Sequence, residues 1–327
     1  MNAAWLRVAA RVVAVMLVLF AVALFATRVE WTETWRAMRG ASPAIFAAAA
    51  LINLASLALK GVRWWIFLRP VGGTSLALTL RGTFAGAALN NLLLANVGEP
   101  ARVMLVARAS RVPSERVLAT LALERLFEFT GYVMLLAVAV SVLTLPPDLH
   151  RARPVAFGAL VAVALLLIYL VRHPASATAS PAARLTMLQR AAAYGQGFIS
   201  ALASSRRRFI AALALSVVVW SLQVATYQLT ARAAHFDIPV SGTIAAILSV
   251  NIGFAIRATP GNVGVFQAVY ALAATAFGMD RDAAVGVGIL IQAQQILPVT
   301  LIGVLAAPSL VLRPRHLAEP PVPPARA

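Results

Sequence analysis

The chain has 327 residues, 61% hydrophobic and 12% charged, with a formal net charge of +17 and no cysteine. Soluble domains carry roughly a quarter of their residues as charges, so this composition excludes a soluble globular protein, and the absence of thiols excludes disulfides, thiolate metal sites and cysteine nucleophiles. All basic residues but Lys60 are arginine, and no basic stripe interleaved with aromatics accompanies them, so the charge reads as membrane topology rather than nucleic-acid binding.

In chain order, hydropathy predicts spans near 9–27, 43–60, 122–145, 155–171, 209–230 and 283–306. The first lies behind Arg7 and Arg11 and also resembles a signal peptide, but its cleavage site at Leu24-Phe25-Ala26 is poorly formed, which favours a retained span. Two further apolar regions, 76–97 and 238–277, are interrupted by Asn, Gly, Pro and Arg. Backbone breaks and charges are costly in lipid and persist where they face protein or water. Beyond 310 the sequence is proline-rich and reads as a disordered cytoplasmic tail, 311–327, with no soluble catalytic domain after it.

Charge bias orients these elements. The 172–208 loop carries Arg172, Arg184, Arg190, Arg206, Arg207 and Arg208 without an acid, which places it and both termini in the cytoplasm of a bacterial inner-membrane protein. Lys60-Gly61-Val62-Arg63-Trp64-Trp65 falls on the same side, its tryptophans suited to the interface. Keeping Arg102, Arg108, Arg111 and Arg116 inside makes 76–112 a re-entrant helical pair entered from the cytoplasm, and 238–277 a pair entered from outside. The expected fold is thus an all-α polytopic membrane protein. It has about six full spans and two re-entrant pairs in an inverted repeat, with halves at 43–145 and 209–306 inside one transmembrane domain, 1–310. The alternative is that both broken regions cross the bilayer fully.

Six ionisable residues fall within or beside the apolar regions: Glu99, Arg102, Glu124, Arg125, Glu128 and Arg257. Glu99 with Arg102, and Arg125 with Glu128, are three apart and share a helix face. They read either as an internal ion-pair network or as arginines that receive a lipid phosphate through their planar forks. Pro260-Gly261-Asn262-Val263-Gly264 predicts a tight turn opening a helix at Val263, either a simple turn or a place where backbone N–H groups meet an anion. Asn90, Asn91, Asn96, Asn251 and Asn262 read as helix caps or as contacts to head-group hydroxyls. The pairs Gln223/Gln228 and Gln292/Gln295 read as interhelical hydrogen bonds or head-group contacts, and Pro298 as a kink. The four histidines lie singly, so no metal cluster is legible; no phosphate loop, cofactor motif or nucleophile–base arrangement is present either.

At these residues the chain resembles the lysylphosphatidylglycerol synthase transmembrane-region family, also described as flippase-like integral membrane proteins. The resemblance rests on Asn90/Asn91, then Gly98-Glu99-Pro100-Ala101-Arg102, then Glu124-Arg125 with Glu128, then Pro260-Gly261-Asn262-Val263-Gly264, in order over about residues 40–310. The chain departs from the family pattern at Asn96, often Pro, at Asn262, often Gly, and at Gln267, often Glu, which puts a proton-linked role at Gln267 in doubt. Synthase members add a soluble aminoacyltransferase domain. Without one in this sequence, the resemblance implies a non-enzymatic role: translocation of an anionic phospholipid or polyprenyl-linked lipid between leaflets. Two other functions stay open: a non-transporting accessory subunit beside envelope-lipid or glycan synthesis enzymes, and a membrane lipid-phosphate transferase.

Overall fold

The computed structural model describes Met16, Phe20 and residues 23–72, 74–93, 97–142, 152–172, 205–254 and 259–306. All regular structure among them is helical. The expected first span is described only in part, and the 311–327 tail lies outside the described residues.

The first helix described over its whole length is one that hydropathy does not mark: α1, Trp31–Arg39, with Glu33 in its first turn and Arg36 and Arg39 in its last, matching the helix dipole. It lies across the start of the last helix, where the buried Thr34 hydroxyl donates to the Asp282 carbonyl at 3.2 Å.

Helix α2, Pro43–Leu68, starts with proline at its first turn, where a missing N–H costs nothing, and runs well past the expected end at 60. Lys60 and Arg63 are therefore helical, and Trp64 is wholly buried rather than interfacial. This corrects the sequence reading: hydropathy ends a span at the first charge, whereas the helix continues because these side chains find partners inside the protein. Helix α3, Leu76–Leu92, is capped by the Ser75 hydroxyl, which accepts from Leu78 N–H at 3.1 Å. It stops where Leu93 turns extended. Helix α4, Gly98–Ser110, follows and ends on Arg111 in the left-handed region. Helix α5, Ser114–Val142, begins eight residues before the expected span at 122. Helix α6, Ala152–Arg172, packs on its outside.

After residue 205 a long helix, two short ones and a long one follow. Helix α7 is Arg206–Ala233, α8 is Val240–Gly253, α9 is Val265–Thr275, and α10 is Arg281–Ala306, which continues through Pro298. Between α8 and α9 lies the turn at Pro260–Asn262. The helices α2, α7 and α10 are long and apolar enough to cross a membrane. Helix α5 is longer still, at 29 residues, but carries Glu124, Arg125 and Glu128. The broken pairs are built of 17 and 13 residues, and of 14 and 11. Each is below the ~20 residues that span a hydrocarbon core.

The two opening helices, α2 and α7, form the central contact, and each closing helix packs on the opening helix of the other half, α5 on α7 and α10 on α2. Close backbone approach makes this possible. A Cβ on Gly131 would stand 2.6 Å from that of Ser216 at the α5–α7 crossing. A Cβ on Gly98 would overlap the Gly86 carbonyl, so α3 and α4 meet backbone to backbone. The largest apolar cluster joins Trp220 and Tyr227 of α7 to Phe266 and Tyr270 of α9 and to α10.

Candidate functional site

Polar residues recur down α2 at 53, 56, 60 and 63, and down α7 at 216, 220, 223 and 227. At three- and four-residue spacing each set shares one helix face. The two stripes face each other: Ser56 donates to the Val219 carbonyl at 3.3 Å and Arg63 to the Ser216 hydroxyl at 2.8 Å. Between them, and towards α3, α5, α8 and α10, are two adjoining polar cavities of ≈ 270 and ≈ 110 Å³ that share Leu57, Lys60, Ala87 and Glu128.

The smaller cavity is ionic. Arg102 donates to Glu124 at 2.7 Å, with both side chains buried, and its guanidinium stacks on the Trp64 ring at 4.6 Å. Glu128 receives Lys60 at 2.8 Å on one oxygen and Arg125 at 2.7 Å on the other, and Arg125 also pairs with Glu99. Arg125 keeps half of its side chain accessible, against 7% for Arg102. Behind the cavity, Arg63 is fully buried, and among the described residues its Nε and second terminal nitrogen have no hydrogen-bond partner. It forms a direct ion pair with neither Glu128 nor Glu124.

The larger cavity is lined mostly by amides and aromatic rings: Asn53, Asn91, Gln223, Asn251 and Gln295, with Trp220 and Tyr227. Asn91 donates to Thr300 at 3.2 Å and Asn251 to the Ile247 carbonyl at 2.8 Å. Among the described residues, Asn53 and Gln223 have no side-chain hydrogen bond.

The sequence-derived residues thus divide. Glu99, Arg102, Glu124, Arg125 and Glu128 come together, with Asn90 beside them. The Asn90 side chain accepts from the Gly98 N–H at 2.8 Å and so caps α4 from the neighbouring helix. Asn91, Asn251 and Gln295 line the amide cavity. Gly261, Asn262, Gly264, Gln267 and Gln292 gather elsewhere, as the scaffold of the second break. The Gly264 N–H donates to Gln267 Oε1 at 2.6 Å, Gln267 Nε2 to Gln292 Oε1 at 2.6 Å, and Gln292 Nε2 to the Gly261 carbonyl at 2.7 Å. Gly261, Asn262 and Gly264 all have positive φ, and α9 opens at Val265 rather than Val263. Pro260 starts this turn. Gln228 holds α8 through Thr243 and the Ile238 carbonyl. Asn96 and Arg257 lie outside the described residues.

Lys60, Arg63, Asn53, Ser56 and Trp220 do not stand out in the sequence as site residues. Their signal is the helical period of the polar positions, which a search for apolar runs passes over.

Fold and site define a polytopic α-helical membrane protein whose helices enclose a polar, ion-paired cavity. The chain belongs to the lysylphosphatidylglycerol synthase TM region family, whose model matches residues 9–303. It is also 25% identical over 296 residues to the glycosyltransferase AglD of Haloferax volcanii, an alignment covering 79% of this chain and 47% of that protein. The chain thus spans about half the length of that curated relative.

Proposed function

We propose that the chain translocates an anionic phospholipid or a polyprenyl-linked lipid between the leaflets of a bacterial inner membrane, both termini being cytoplasmic. The observation that carries this reading is the accessible guanidinium of Arg125 beside Lys60, at the mouth of a polar cavity lined by helices of both halves. Ion-paired side chains at membrane depth are expensive and mark substrate pathways, and a guanidinium offers phosphate a planar pair of donors. Arg125 and Lys60 receive the phosphate, while Arg102 holds Glu124 in place. The short paired helices and the exchange of closing helices support an inverted repeat, 43–145 and 209–306, within a 1–310 transmembrane domain, with α3–α4 and α8–α9 re-entering from opposite sides.

Reconstitution into proteoliposomes with a lipid fluorescently labelled on its head group tests this, using Arg102→Ala, Arg125→Ala and Arg257→Ala. Slower transbilayer movement, greatest for Arg125→Ala, is expected; unchanged rates in all three overturn the assignment. The name of the archaeal relative favours a second reading, a membrane transferase or a partner of glycan-assembling enzymes. Formation of a covalent product from a donor lipid by the purified protein would select it.

A further inference from the structure

The head group that this site accepts is readable from its charge balance and from the amide cavity, an inference that rests on the translocation reading. Among the described residues, the charged side chains lining the two cavities are Lys60, Arg102 and Arg125 against Glu99, Glu124 and Glu128, three of each sign. Arg63, buried behind them and without a direct carboxylate partner among the described residues, adds one positive charge to this cluster. A buried charge is costly until paired, so the cluster favours a ligand bearing one negative charge, which is the charge of a phosphodiester. A cationic aminoacyl head group would instead meet excess positive charge and carboxylates already occupied by arginine and lysine.

The ≈ 270 Å³ cavity next to this cluster specifies the group esterified to the phosphate. Its free amides, Asn53 and Gln223, offer donors and acceptors together. Gln295 sits among them. Trp220 and Tyr227 add aromatic surface, the Lys60 ammonium lying 5.8 Å from the Trp220 ring centre. Hydroxyls of a sugar both donate and accept, and the C–H faces of its ring lie well on aromatic rings. A choline group makes no hydrogen bond and an ethanolamine ammonium only donates, so neither uses the amides in both directions. We infer that the chain binds a lipid phosphodiester whose head group is an uncharged sugar or similar polyol, with the phosphate at Lys60 and Arg125 and the polyol between Asn53, Gln223 and Trp220.

The full chain in lipid nanodiscs tests this with three probes: a short-chain prenyl phosphodiester carrying glucose, the same lipid carrying methyl in place of glucose, and lysyl-phosphatidylglycerol. Native mass spectrometry and thermal shift read binding. The glucosyl lipid is expected to bind about tenfold tighter than the methyl one, the effect of one or two buried hydrogen bonds. Lysyl-phosphatidylglycerol is expected to be the weakest. Gln223→Leu and Asn53→Leu are each expected to remove the glucose-dependent difference. Equal binding of glucosyl and methyl lipids overturns the polyol subsite and leaves the phosphate reading standing. Tightest binding of lysyl-phosphatidylglycerol overturns the charge argument, and binding of none of the three overturns both this inference and the phosphate site beneath it.

Discussion

The Lys60 ammonium donates to one Glu128 oxygen at 2.8 Å, fastening the opening helix of the first half to its closing helix at the point where the two polar cavities join. The same residue holds a third element, because the Glu128 backbone carbonyl accepts from Trp220 Nε1 of α7 at 2.8 Å. Charge and backbone thus converge on one position of α5, and the consequences of removing each partner differ.

Glu128→Gln leaves Lys60 without a carboxylate and Arg125 with Glu99 alone, whereas Lys60→Gln leaves Glu128 still paired with Arg125. Glu128→Gln should therefore be the more damaging change, by roughly 1–3 kcal/mol, the cost of stranding a charged partner. Thermal unfolding in detergent reads the order directly; equal melting temperatures would contradict the convergence of two cations on Glu128.

The Arg102–Glu124 pair is the more deeply buried, with side chains 7% and 3% accessible. Arg102→Met alone strands the carboxylate and should cost about 3–5 kcal/mol, whereas Arg102→Met with Glu124→Leu should recover most of that loss. A double-mutant cycle measures the coupling, and additive losses would show that the pair does not act as a unit.

Two glycines separate packing from propensity. Gly98→Ala drives a methyl into the Gly86 carbonyl and should abolish the α3–α4 contact, seen as lost expression or a sharply lowered melting temperature. Gly158→Ala on α6 meets nothing within 4 Å and should leave stability unchanged or raise it by about 0.5–1 kcal/mol through helix propensity. Tolerance of alanine at 98 would contradict the backbone-to-backbone approach.

Gln267 joins the N-terminus of α9 to α10, its oxygen taking the Gly264 N–H and its nitrogen reaching Gln292. Gln267→Leu frees the Gly264 amide and should speed its hydrogen exchange by about tenfold or more, the equivalent of one lost hydrogen bond. Exchange unchanged from the wild type would mean that another group holds this turn.

The helical class and the two breaks were legible because apolar runs and their interruptions report directly on lipid exposure. So were Glu99, Arg102, Glu124, Arg125 and Glu128, since charges inside apolar runs stand out. Lys60 and Arg63 lie at the edge of the apolar run, where a charge ordinarily means water; only the fold shows α2 continuing to Leu68. Gln267 and Gln292 looked equal to Gln295 in sequence. Tertiary position alone separates the pair that braces a turn from the residue that lines a cavity. Helix α1 escaped notice because its face packs on α10 rather than on lipid.

Carriage of a phosphodiester lipid across the bilayer through this cavity is tested most directly by the wild-type protein in sealed proteoliposomes containing a phosphodiester lipid with a head-group fluorophore. A membrane-impermeant quencher is added outside. Quenching should proceed beyond the outer-leaflet half of the label in vesicles containing the protein, and stop at that half in vesicles without it. Quenching that stops at half in both would contradict transport by the cavity.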